Sequence, residues 1–188
     1  MVRNMPSRFW SVISRPRAQP SAAAWTILCG ASPWGKVRCE PWPGVAGDAL
    51  GGAYLASVYG WRQRSGRCPR RQVGEAAQGR RLAIITAWNP GSAPNRAWQN
   101  RRRQGVLRAA LRQHKKSCWP AWGGLGTWWE EALALPDISC AEACDWAARF
   151  HQNAFLWLDG RRTWLVFVGQ SGAGRRHRAP RRPRSWRS

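Results

Sequence analysis

Leu82-Ala83-Ile84-Ile85-Thr86-Ala87-Trp88, closed by Asn89-Pro90-Gly91, is a continuous apolar and β-branched run that ends on a turn signal. A run of that composition and length reads as a buried strand covered on both faces. The sheet it belongs to therefore needs helices packed on it, and the flanking sequence supplies them.

Downstream, a helix is predicted over 97–116, where Asn100, Leu107, Leu111 and His114 fall on one side at 100° per residue. Arg101, Arg108, Arg112 and Lys115 form a separate stripe about a quarter-turn away, and Arg103 falls near the apolar side. Two strands are read at 118–122 and 129–135 around a Gly123-Gly124 turn. Ser139 followed by Glu142 is a capping box that starts a helix from Cys140 to about Phe150, with Ala143, Trp146 and Ala147 inward. Strands at 154–158 and 163–168 flank Asp159-Gly160, a hairpin dipeptide. Upstream, Leu50, Ala53, Tyr54, Val58 and Trp61 share a helical face and give a first helix, followed by a basic loop over 62–81. The order α-β-α-β-β-α-β-β places the chain in the α+β class, as a single small domain with a mixed sheet and packed helices.

The domain is bounded at 48–169 by what surrounds it. Residues 1–47 contain Arg-Pro-Arg, Ser-Pro-Trp and Pro-Trp-Pro without sustained periodicity, and read as an unfolded or misassigned N-terminal extension. Residues 170–188 carry seven Lys/Arg and no acid, against thirteen and six over 80–169, and lack the apolar content to fold. They read as a disordered Arg-rich tail that holds much of the net charge of +22. A charge of that size attracts polyanions. The six cysteines contain no C-x-x-C pair, so free thiols, a reducing compartment and a cytoplasmic location are expected, with no structural disulfide. No apolar run approaches the roughly 20 residues of a membrane helix, so no membrane partner is expected.

Four pieces carry a resemblance. Ala83-Ile84-Ile85-Thr86-Ala87-Trp88-Asn89-Pro90, Asn100-Arg101-Arg102, Trp129-Glu130-Glu131 and Phe150-His151-Gln152-Asn153-Ala154-Phe155 are similar, in order and spacing, to a bacterial domain-of-unknown-function family, number 3293. The resemblance covers about residues 50–168. It implies a fold and a set of polar positions, but no substrate, because no activity is established for the family. The family usually has Gly where this chain has His151; a glycine there would permit a positive φ.

Two functions from different classes follow. The first is a binding module for a polyanion such as nucleic acid, using Arg101, Arg108, Arg112 and Lys115 with Arg175, Arg176, Arg181 and Arg182 of the tail, without sequence preference. Trp119, Trp122, Trp128 and Trp129 are candidates for base stacking or for core. The second is an enzyme or sensor for a small anionic ligand, with a polar pocket of Asn89, Asn100, Arg103, Glu130, Gln152 and Asn153 beside a helix N-terminus. In either case Arg103, near an apolar face, needs an acid such as Glu130 or a place on a concave site, since a buried unpaired cation is costly. The same amides also suit the plainer task of satisfying buried backbone groups. Cys140 and Cys144 stand on one helical face, but two thiols without partners read as small buried residues, so neither a metal nor another cofactor is expected.

Overall fold

The computed structural model describes residues 49–169 and two strands ahead of them, β1 (Thr26–Gly30) and β2 (Arg38–Pro41). The remaining elements are α1 (Ala49–Ala56), β3 (Val58–Trp61), β4 (Arg70–Arg71), β5 (Arg81–Ile85), a 3-10 turn (Pro90–Ser92), α2 (Ala97–Gln113), β6 (Trp119–Leu125), β7 (Trp128–Pro136), α3 (Cys140–Arg149), β8 (Ala154–Asp159) and β9 (Thr163–Gly169).

Strands β3 to β9 form one antiparallel sheet in the order β9-β8-β5-β7-β6-β3-β4. Strand β1 continues it in parallel beyond β9, and β2 pairs with β1. The protein is thus a small α+β domain. As the apolar run required, β5 lies at the centre, with Leu82, Ala83, Ile84 and Ile85 all buried. Its two faces feed two cores. Ala83 and Ile85 join Leu107 and Leu111 of α2 and Ala143, Cys144, Trp146 and Ala147 of α3. Leu82 and Ile84 join Tyr59, Trp61, Ala132, Leu156 and Leu165 on the opposite face, where the sheet curls over its own side chains with Tyr54 and Leu55 of α1 against them. Cys140 and Cys144 are buried within the first core.

Several elements differ from the sequence reading. Val58 and Trp61 do not extend the first helix: it stops at Ala56, Ser57 donates its hydroxyl to the carbonyl of Ala53, and Val58 to Trp61 pair with β6. Spacings of three and four residues occur in both patterns, and the β-branched and aromatic content of 58–61 decides for a strand. The expected loop 62–81 contains the short β4. The two strands within 1–47 arise where no element was expected, so the observed order has four strands more than the one read from the sequence. Strand β1 gains order from pairing with the edge of β9, and β2 from pairing with β1, which local periodicity does not report.

Gly123 and Gly124 are not a turn. They lie inside β6, and the turn is Gly126-Thr127, with Gly126 at φ 60°. A Cβ on Gly123 would meet the Tyr59 ring at 2.9 Å, and one on Gly124 would meet the Trp128 carbonyl at 2.5 Å. The pair makes room instead of making a bend. The last expected hairpin forms as read, with Asp159 Oδ1 accepting the backbone N–H groups of Arg161 and Arg162 at 2.7 Å each. Ser139 caps α3 by accepting the N–H of Glu142 at 3.2 Å. The tail 170–188 lies outside the described residues, and Arg175, Arg176, Arg181 and Arg182 with it.

Candidate functional site

Strand β5 ends at Ile85 and not at Trp88, because the next backbone donors are taken by side chains. The Gln104 carbonyl oxygen accepts the N–H of Ala87 at 2.9 Å, and the Thr86 hydroxyl accepts that of Trp88 at 3.0 Å. The chain then turns through Asn89, which holds a left-handed φ of 44°, into the 3-10 turn and on to Asn95. Such a loop presents unpaired backbone groups, and they must be satisfied where they are buried.

The amides of the site do this work from three sides. From α2, Asn100 accepts the N–H of Asn89 at 3.0 Å and donates to the Asn89 side-chain oxygen at 2.9 Å. From the segment after α3, Gln152 donates to the carbonyl of Trp88 at 2.9 Å, and Asn153 donates to the Ser92 hydroxyl at 2.9 Å. From α1, Tyr54 shares a hydrogen bond with the same Ser92 hydroxyl at 2.8 Å. Glu130 of β7 accepts the side-chain N–H of Asn89.

Asn89, Asn100, Glu130, Gln152 and Asn153 are therefore gathered around one loop. Arg103 is directed elsewhere. It donates to the carbonyls of Ala87 and Phe150, each at 3.1 Å, and no carboxylate pairs with it among the described residues. Phe150 ends α3, so the cation meets the negative end of that helix as well as a carbonyl. That is how a half-buried guanidinium stands here without an acid.

His151 adopts φ 58°, the left-handed geometry that a glycine would take without cost. The N–H of His151 bonds the carbonyl of Ala148 at 3.0 Å, and that of Gln152 bonds Ala147 at 2.9 Å, the paired closure of a Schellman end. The His151 carbonyl accepts the N–H of Gly91 at 2.6 Å, so the end of α3 is tied to the same loop.

Two concavities flank this knot. On the curled face, a cavity of about 40 Å³ is bordered by Tyr54, Tyr59, Thr86, Trp128, Glu130 and Gln152. Burial pushes the Glu130 carboxyl above its ordinary range, and the Asn89 hydrogen bond opposes this only in part. Burial likewise raises Tyr54. On the helical face, a groove of about 410 Å³ runs between α2 and the end of α3, with Trp98, Arg102, Arg103, Arg149, Phe150 and His151 on its walls. Trp98 is 54% exposed.

Arg101, Arg108, Arg112 and Lys115 are exposed on α2 and the turn after it. His114, expected inward, is exposed and meets Trp146 edge-on, with centroids 5.3 Å apart. Trp128 and Trp129 are exposed at the β6–β7 hairpin, Trp119 and Trp122 are half-buried on β6, and Trp146 is core. Ser92 and Gln104 were not singled out in the sequence, and Tyr54 was read there as part of a helix face and not of the site. Gln104 follows Asn100 by four residues, and that spacing is the one signal that could have found it. Trp98 and Arg102 of the groove have the same spacing.

The arrangement defines a small α+β domain in which a polar knot holds a loop between a small cavity and an open basic groove. Residues 85–155 match the family model described as "Protein of unknown function (DUF3293)", the family that the sequence resembles. No curated protein and no solved structure matches the chain. Among the described residues, no helix is long and apolar enough to cross a membrane, and no group of three His, Cys, Asp or Glu gathers to hold a metal.

Proposed function

We propose that the domain is a binding module for a polyanion, namely single-stranded nucleic acid. The observation that carries this reading is the groove between α2 and the end of α3: it contains Arg102, Arg103 and Arg149, an exposed Trp98, and no acidic residue. Arginines neutralise phosphates, and an exposed indole beside them offers a face on which a base stacks. Arg101, Arg108 and Arg112 extend the positive field along the same helix, and the seven basic residues over 170–188 add a second, sequence-independent attraction. A duplex hides its base faces, so the exposed Trp98 favours a single strand.

The test is fluorescence anisotropy with a labelled oligo-dT and a matched duplex across a salt series. Affinity is expected to fall steeply with salt, and the slope to become shallower in a chain ending at Gly169. Trp98→Ala is expected to weaken the single strand by about 1–3 kcal/mol and to leave duplex binding nearly unchanged. Equal binding by wild type and a Trp98→Ala, Arg102→Ala variant would move the function away from the groove.

The sequence reading also allowed a small anionic ligand held by Asn89, Asn100, Arg103 and Gln152. The hydrogen bonds of these side chains go to the loop and to the helix end, and the nearest cavity carries Glu130, so the observations favour the groove for anions.

A further inference from the structure

The cavity under the curled sheet has an electrostatic sign opposite to that of the chain. The protein carries 31 Lys and Arg against nine acids, yet Glu130 at the cavity is 9% exposed and has no ion-pair partner among the described residues. Its one hydrogen bond there comes from Asn89 and reaches a single carboxylate oxygen. A buried carboxylate left this way is costly unless a positive group arrives or a proton is kept.

Four of the polar side chains around it already donate to backbone carbonyls. Ser57 donates to the carbonyl of Ala53 at 2.8 Å, Tyr59 to that of Tyr54 at 3.1 Å, Thr86 to that of Glu131 at 2.7 Å, and Gln152 to that of Trp88 at 2.9 Å. What the cavity offers an incoming group is therefore an acceptor, the second Glu130 oxygen, between aromatic faces. Tyr54, Tyr59 and Trp128 supply those faces, and Trp128, 47% exposed, brings the wall to the surface. A space of about 40 Å³ holds a few water-sized groups. An ammonium head fits that volume, gives hydrogens to the carboxylate and turns its methylene or methyl groups to the rings.

We infer that the Glu130 cavity binds the alkylammonium head of a small organic amine. This site is separate from the groove proposed for nucleic acid and of opposite charge preference. Anions are repelled by the Glu130 carboxylate.

Isothermal titration of the full chain in an amine-free buffer tests it, with methylammonium, trimethylammonium and the polyamine spermidine as probes and acetate as the anionic control. At least one amine is expected to bind, and acetate is not. Glu130→Gln keeps an oxygen for Asn89 and removes the charge, and is expected to weaken amine binding at least tenfold. Glu131→Gln, at the neighbouring position on β7, is expected to leave it unchanged. Trp128→Ala, at the exposed mouth, tests the aromatic wall with little risk to folding and is expected to weaken binding severalfold. Absence of binding by all three amines, equal loss in Glu130→Gln and Glu131→Gln, or full affinity in both Glu130→Gln and Trp128→Ala would overturn the assignment. Tight spermidine binding alone, unaffected by Glu130→Gln, would place the polyamine on other surface acids and overturn it as well.

Discussion

His151 and Glu130 each occupy a position whose residue type is at odds with its surroundings, and each mismatch has a measurable cost. At φ 58°, the Cβ of His151 crowds its own backbone, and the exposed imidazole makes no hydrogen bond among the described residues to offset this. His151→Gly is expected to raise stability by about 1 kcal/mol, read as a higher urea midpoint. An unchanged or lower midpoint would mean that the side chain is held by something other than the backbone. For Glu130 the cost depends on pH. Its folded carboxyl titrates above the ordinary range, so in the window between the two values the folded chain binds more protons than the unfolded one. The stability contributed by the neutral acid is present below the ordinary carboxylate range and is lost as pH rises through the raised folded value. In amine-free buffer, Glu130→Gln is expected to raise the melting temperature at neutral pH and to change it little at pH near 4. A uniform shift at both pH values would remove the linkage.

At the scale of elements, the organising feature is the loop after β5 and the way α2 clasps it. Asn100 and Gln104 are each 2% exposed, and both face inward where the apolar stripe of the helix would otherwise continue. Asn100→Ala leaves the Asn89 N–H without its acceptor, and is expected to cost about 1–3 kcal/mol in thermal unfolding. Arg103→Ala removes two bonds from a charged donor to helix-end and loop carbonyls, and is expected to lower stability by about 1.5–3 kcal/mol. Arg101→Ala, on the exposed side of the same helix, should fall within about 0.5 kcal/mol of wild type. If Arg103→Ala proved as neutral as Arg101→Ala, its two carbonyl contacts would carry no weight in holding α3 to the loop. The register of α2 was legible in the sequence, because apolar and polar positions repeat at 3.6 residues. What the inward amides bind was not, because their partners are backbone groups on a loop whose path is set by three other elements.

For the whole molecule, both cores lie within β3 to β9 and the helices, so the body at 48–169 holds the buried apolar clusters of the described residues. A chain reduced to 48–169 is expected to unfold in a single cooperative transition. It leaves β9 as an open edge where β1 had paired, so concentration-dependent association is expected by sedimentation. A shortened chain that loses cooperativity would make the strands ahead of α1 part of the folding unit.

The central strand, the capped helix after Ser139, the last hairpin and the α+β class followed from local pattern alone, because burial on two faces, an oxygen at a helix start and positive-φ turn residues act over a few neighbours. The resemblance to the family model matched over residues 85–155 also followed from short motifs in order. Contacts between distant segments decided the rest. Val58 and Trp61 became a strand through β6, and Gly123 and Gly124 became spacers for Tyr59 and Trp129. The acids and amides were separated by curvature: the curled sheet put Glu130 in a cavity, and α2 and α3 put Arg102, Arg103 and Arg149 on a groove. Sequence spacing fixes which residues share a face of one element. The side of a sheet on which two elements meet depends on pairing and packing between residues far apart in the chain, and only the tertiary structure carries that.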